Sequence, residues 1–153
     1  MRLSSYLRTD LIKKDLKSST KAGAIEELID MLCPLRSDIA RDRLLNVLLE
    51  RERLGSTGIG DGLAIPHALL EGMGDPVIIV GRSRAGVPFE SLDGMPVHLF
   101  MLIIADSASI DGYLKLLART SRLLKDYSLR KRLMDAADEA ALMGILVERD
   151  NRL

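Results

Sequence analysis

The sequence predicts an α/β fold, a single layered domain over residues 1–153 in which a sheet is flanked by helices. Three observations predict it. Apolar residues recur at helical spacing toward both ends of the chain, two short β-branched runs lie between them, and those runs are apolar almost without a break. Strands of that kind are covered on both faces, which places the sheet between helical layers. A chain of 153 residues with 47% hydrophobic content can bury one ordinary core and leaves little room for a second domain.

The elements follow in chain order. From Thr20, the residues Ala24, Ile25, Leu28, Ile29 and Leu32 predict a first helix, with Ser19 as its N-cap and Pro34 beyond its end. Ser37 or Asp38 caps a second helix, whose stripe is Leu44, Leu45, Leu48 and Leu49 and which Gly55 terminates in a left-handed conformation. A glycine-rich run comes next. Pro76 to Gly81 and Pro96 to Ile104 then read as strands bounded by Gly, Pro and Asp. Leu114, Leu116, Leu117 and Leu124 belong to a third helix, Ser128 to Met134 to a short fourth, and Asp138 to Glu148 to a closing amphipathic one.

Composition narrows the function classes. Lys plus Arg and Asp plus Glu each total 22, so the overall charge points to neither nucleic acid nor an anionic membrane surface. Cys33 is the only cysteine and the N-terminus lacks a secretory pattern, which together lead us to expect a cytoplasmic protein. The longest apolar stretch, Val97 to Ala105, contains His98 and falls far short of the roughly 20 residues that span a bilayer, so no stable membrane insertion is expected.

The candidate site is the run from Ser56 to His67, Ser-Thr-Gly-Ile-Gly-Asp-Gly-Leu-Ala-Ile-Pro-His, in which small residues lead to one of only two histidines. Such a segment lets a ligand approach the backbone while presenting an imidazole nitrogen to it. Metal binding is the weakest use, because His98 and Cys33 provide no zinc-type spacing; none is expected. A Ser-His-Asp hydrolase with Ser56 and Asp61 lacks the Gly-x-Ser-x-Gly elbow, although a triad from distant residues stays open. A histidine with a purely structural role is the bland alternative. The remaining use is covalent: the imidazole accepts a phosphoryl group and passes it on. Backbone N–H groups of Gly58, Gly60 and Gly62 and the hydroxyls of Ser56 and Thr57 would then surround the phosphate, with Arg51 as the nearest guanidinium and Arg53 as a weaker candidate.

The stretch from Arg51 to His67 closely resembles the phosphorylation-site segment of mannitol/fructose-type enzyme IIA domains of the bacterial phosphoenolpyruvate-dependent sugar phosphotransferase system. An Arg-Glu, a Ser-Thr-Gly-Ile-Gly and an Ile-Pro-His occur in order at family spacing. Leu3 to Leu7, Val87-Pro88-Phe89, the Asp93 to Pro96 turn and the C-terminal helices extend the resemblance over most of the chain. It implies a mixed sheet flanked by helices and a histidine, here His67, that accepts phosphate from a phosphocarrier protein of HPr type, supported by Arg51. No bound cofactor is implied. The length of the chain, without a fused enzyme IIB or membrane domain, is most similar to the free-standing nitrogen-regulatory branch, whose members control a transporter, a kinase or another protein. Alternatives are a fructose- or mannitol-class enzyme IIA feeding a separate enzyme IIB, and a regulatory binding module with little onward transfer.

One position departs from the family. Many members carry a second histidine in a His-Leu-x-x-Leu pattern, and the matching residues here are Tyr113-Leu114-Lys115-Leu116-Leu117. Tyr113 can donate a hydrogen bond to a phosphate but, with an ordinary pKa of about 10, does not exchange protons near neutral pH. Ile59, Leu63 and Ala68 are the expected apolar contacts for a docking protein.

Overall fold

The computed structural model describes residues 2–153. A mixed six-stranded sheet forms its middle layer. The elements are β1 (Ile12–Lys13), α1 (Lys21–Leu32), α2 (Arg41–Arg53), β2 (Gly58–Gly60), β3 (Leu63–Ala64), β4 (His67–Leu70), β5 (Val77–Val87), β6 (Val97–Asp106), α3 (Ile110–Leu124), α4 (Tyr127–Asp135) and α5 (Glu139–Asp150). The strand order is β1-β5-β6-β3-β2, and β4 shares with β3 the same side of β6. β5 runs antiparallel to β6, whereas β1 is parallel to β5 and both β3 and β4 are parallel to β6.

The side-chain alternation of β6 explains why it reads as unbroken hydrophobic sequence. Leu99, Met101, Ile103 and Ala105 pack with α3, α4 and α5, while Phe100, Leu102 and Ile104 pack with α1 and α2. Both faces are covered by helices, so the side chains from Leu99 to Ala105 are apolar on each. α1 approaches the sheet closely at Gly81, where a β-carbon would lie 2.7 Å from Leu28 Cδ2 and 2.8 Å from Leu16 Cδ1.

Several local expectations are corrected. Thr20, not Ser19, caps α1, its side chain accepting from Gly23 N. α2 begins after Ala40 with no side-chain cap, so neither Ser37 nor Asp38 serves. Gly55 follows the end of α2 with φ of 155°, positive but more extended than the left-handed helix conformation. β5 continues past Gly81 to Val87 because Arg82 and Ser83, polar in sequence, are buried. Arg82 is 0% exposed, and its guanidinium donates to the carbonyls of Lys14, Leu133 and Ala136. β1, the β2–β3 hairpin and β4 were not foreseen. They are short, and β4, His-Ala-Leu-Leu, has no β-branched residue to mark it.

Candidate functional site

Parallel pairing with β6 places the half-buried His67 opposite Ile103, and Pro66 O accepts from Ile103 N at 2.9 Å. The ring is oriented from both ends. Nδ1 lies 2.7 Å from Ile65 O. A carbonyl can only accept, so Nδ1 carries the proton and Nε2 keeps its lone pair. Toward that lone pair Arg51, in the last turn of α2, donates Nε–H at 3.2 Å, while its Nη1 donates to Gly55 O at 2.9 Å. Arginine is always charged and cannot accept, so this bond too requires the Nδ1–H tautomer.

Burial is the largest influence on the imidazole and lowers its pKa below the ordinary 6.5; the positive charge of Arg51 acts in the same direction. The Ile65 carbonyl and the Glu52 carboxylate oppose this shift. A neutral, singly tautomeric imidazole that keeps one basic nitrogen is the form a nucleophile requires. Tyr113, from the first turn of α3, stands edge-on to it with ring centroids 5.8 Å apart. Burial raises the phenol to about 12, so it stays protonated.

The glycine-rich run does not wrap around the ring. Ser56 Oγ donates to Phe89 O and accepts from Gly58 N, and the Thr57 hydroxyl donates to Glu52. Gly60 and Gly62 form the hairpin tip, where His98 N donates to Gly62 O at 2.8 Å. His98 precedes Ile103 by five strand residues at about 3.3 Å each, so the tip stands roughly 16 Å from His67. Gly60 and Gly62 of the predicted cradle therefore stand away from the imidazole, while Ser56, Thr57 and the Gly58 N–H lie nearer but are engaged with Phe89, Glu52 and Ser56 Oγ. Neither Ser56 nor Asp61 forms a triad with His67, whose two nitrogens meet Ile65 and Arg51 instead. Arg53 pairs with Glu50 on the surface.

Instead, His67 opens onto a shallow depression of about 300 Å³ lined by Val47, Glu50, Arg51, Leu54, Ala68, Leu69 and Tyr113. The expected docking contacts Leu63 and Ala68 are buried; exposed apolar surface is supplied by Leu54, 86% exposed, and by Leu114 beside Tyr113, 56% exposed. Glu52 was missed altogether. Its alternation with Arg51 and Arg53 reads as a solvated helix end, yet it is turned inward and receives Thr57 N at 3.1 Å and Lys21 Nζ at 2.9 Å.

Comparison with known proteins decides the family. Residues 5–149 match the model of the phosphoenolpyruvate-dependent sugar phosphotransferase system, EIIA 2. The chain belongs to this family. It is 37% identical over 98% of its length to the fructose-specific EIIABC component of Bacillus subtilis, of which it spans only 24%. It is 34% identical to a nitrogen regulatory protein of Bradyrhizobium diazoefficiens, with 95% of each chain covered. The crystal structure of nitrogen regulatory protein IIA-Ntr from Neisseria meningitidis superposes with a TM-score of 0.88 at 28% identity, covering 94% of this chain and 98% of that one. The IIA domain therefore has relatives in both the sugar and the nitrogen-regulatory branches, and among the described residues no helix is long and apolar enough to cross a membrane.

Proposed function

We propose that His67 Nε2 accepts a phosphoryl group from the phosphohistidine of an HPr-like carrier protein and that the loaded chain acts as a nitrogen-branch regulator. The observation that carries this reading is the fixed tautomer of His67 with Arg51 at its nucleophilic nitrogen. In the transfer the donor's P–N bond breaks and its electron pair returns to the donor imidazole. A bond forms between phosphorus and Nε2. The proton stays on Nδ1, which donates to the Ile65 carbonyl, and that bond supports the positive charge the ring acquires. Because Arg51 Nε–H covers the Nε2 lone pair at rest, the guanidinium must swing aside; its N–H fork then meets the phosphoryl oxygens.

Tyr113 walls one side of the site with a phenol that can donate to a phosphoryl oxygen but holds its proton. The open apolar rim suits a second protein better than an enclosed small molecule. Phosphorylation adds about two negative charges to this rim, so a protein that docks on the neutral form meets a different surface on the loaded one.

The test is to incubate the chain with phosphoenolpyruvate, enzyme I and HPr and to follow acid-labile phosphate on wild type and His67→Gln. Label that depends on His67 is expected; absence of label on the wild type overturns the reading. A second reading, onward transfer to an enzyme IIB, is favoured by the 37% identity to the fructose-specific protein. Chase of the label onto added fructose-class IIB separates the two, and a regulator retains it.

A further inference from the structure

We infer that Glu52 is a positioning residue for His67, closing a hydrogen-bonded circuit that fixes both the tautomer and the direction of the nucleophilic nitrogen. The inference rests on the acceptor role proposed for His67, and its consequences reach the ring before they reach the reaction.

The circuit can be followed atom by atom. Arg51 Nε donates to His67 Nε2 at 3.2 Å, and His67 Nδ1 donates to Ile65 O at 2.7 Å. Ile65 N donates to Thr57 O at 3.1 Å, and Thr57 N donates to Glu52 Oε1 at 3.1 Å. Glu52 is the next residue after Arg51 in α2, so the path returns to its start. One helix end thus holds the imidazole twice. Arg51 grips it directly, and Glu52 holds the two backbone segments that place the carbonyl on its other nitrogen.

The Glu52 carboxylate is built for this position. It is buried and receives three donors, the backbone N–H and hydroxyl of Thr57 and the ammonium of Lys21 from the first residue of α1. Lys21 is itself held, its Nζ 4.7 Å from the centre of the Phe89 ring, and Phe89 O accepts from Ser56. A buried carboxylate with this many donors is costly to move, since any displacement leaves charged or polar groups unpaired away from water. A surface ion pair for stability alone needs neither the burial nor the bond to Thr57 N. Ser56 and Thr57 therefore serve the site from behind: their hydroxyls lock the loop that supports the ring.

The experiment compares wild type, Glu52→Leu, Glu52→Gln and Thr57→Val. Imidazole 15N chemical shifts read the tautomer of His67, and the HPr-dependent labelling rate is resolved into its maximum and the half-saturating donor concentration. Wild type is expected to show a single Nδ1–H tautomer. Glu52→Leu is expected to show a mixture of tautomers, with the maximal rate down about 10- to 100-fold, as misplacement of a reacting group by about 1 Å produces, and half-saturation within about twofold. Glu52→Gln keeps an oxygen for Thr57 N and is expected to restore the single tautomer and a rate within about threefold of wild type. Should Glu52→Leu fail to fold, Thr57→Val, which removes the hydroxyl anchor, is expected to shift the tautomer and rate in the same direction by about three- to tenfold. Wild-type tautomer and rate in the folded Glu52→Leu variant, or in Thr57→Val where that stands in for it, overturn the inference and leave the acceptor reading intact. Absence of label on wild type overturns the acceptor reading, while the 15N shifts still decide whether Glu52 positions the ring.

Discussion

The two histidines of this chain, His98 in β6 and His67 in β4 opposite Ile103 farther along β6, share one feature: each has Nδ1 beside a main-chain carbonyl, His67 at 2.7 Å from Ile65 O and His98 at 2.8 Å from Ser83 O. Each ring is half-buried. Their other nitrogens differ. His67 Nε2 meets the Arg51 guanidinium beside an apolar rim and a protonated phenol, whereas no side chain donates to His98 Nε2 among the described residues. A carbonyl on Nδ1 is thus a common way to satisfy a histidine and does not by itself make a nucleophile. Each ring also lines an open depression of about 300 Å³, so what distinguishes the candidate site is the cation on the lone pair.

Breaking the comparison outright gives the largest effect. His67→Gln is expected to remove acid-labile label below detection, whereas His98→Gln keeps the labelling rate within about twofold, because no reacting atom depends on it. Equal loss in both variants, measured by phosphate incorporation from HPr, would make the asymmetry of their surroundings irrelevant.

Arg51 is the next lever. Arg51→Met is expected to slow labelling by about 100-fold, the scale on which one preorganised donor to a developing anion is lost. Arg51→Lys recovers only part of this, since an ammonium lacks the planar fork. A lysine variant equal to wild type in single-turnover kinetics would contradict a fork-shaped contact.

The pH dependence follows from the lowered pKa of His67, whose first cause is burial. The labelling rate should hold through pH 6.5 and fall only below it, as the neutral nucleophile is protonated. For stability the sign is fixed: the unfolded chain binds the proton more readily, so this contribution is lost as pH falls from 6.5 through the lower folded value. Denaturant titrations of wild type and His67→Gln across that window should differ in slope, wild type rising more steeply with pH. Identical slopes would show that the buried ring is not the titrating group.

A smaller effect is expected at Tyr113. Tyr113→His replaces a group that holds its proton to about pH 12 with one that titrates near neutrality, so the lifetime of the phosphohistidine should acquire a pH dependence over pH 6–8 and change by about two- to tenfold. Unchanged lifetimes and transfer rates would make the phenol silent in mechanism. The smallest effect is on folding: His98→Gln should cost about 1 kcal/mol through the lost Ser83 bond, read from chemical denaturation.

Much of this was legible before the fold. The helices and the paired strands β5 and β6 declare themselves by periodicity, and Arg51 and His67 stand out by residue type and spacing. The glycine run misled because its composition suits a phosphate cradle and equally suits a tight hairpin; parallel register of β3 with Leu99 and Phe100 sends its tip away from the imidazole. Glu52 was hidden for a similar reason. Alternating charge at a helix end looks solvated until the loop at Thr57 folds back over it.

The sequence by itself determined the layered architecture and singled out His67 and Arg51 as candidates, because hydrophobic period and side-chain chemistry are local properties. Only the tertiary structure decided which imidazole nitrogen carries the proton, where the hydroxyls of Ser56 and Thr57 are engaged and which carboxylate is buried. Those depend on strand register and on how one helix end meets one loop, and such meetings are set by packing across the whole sheet.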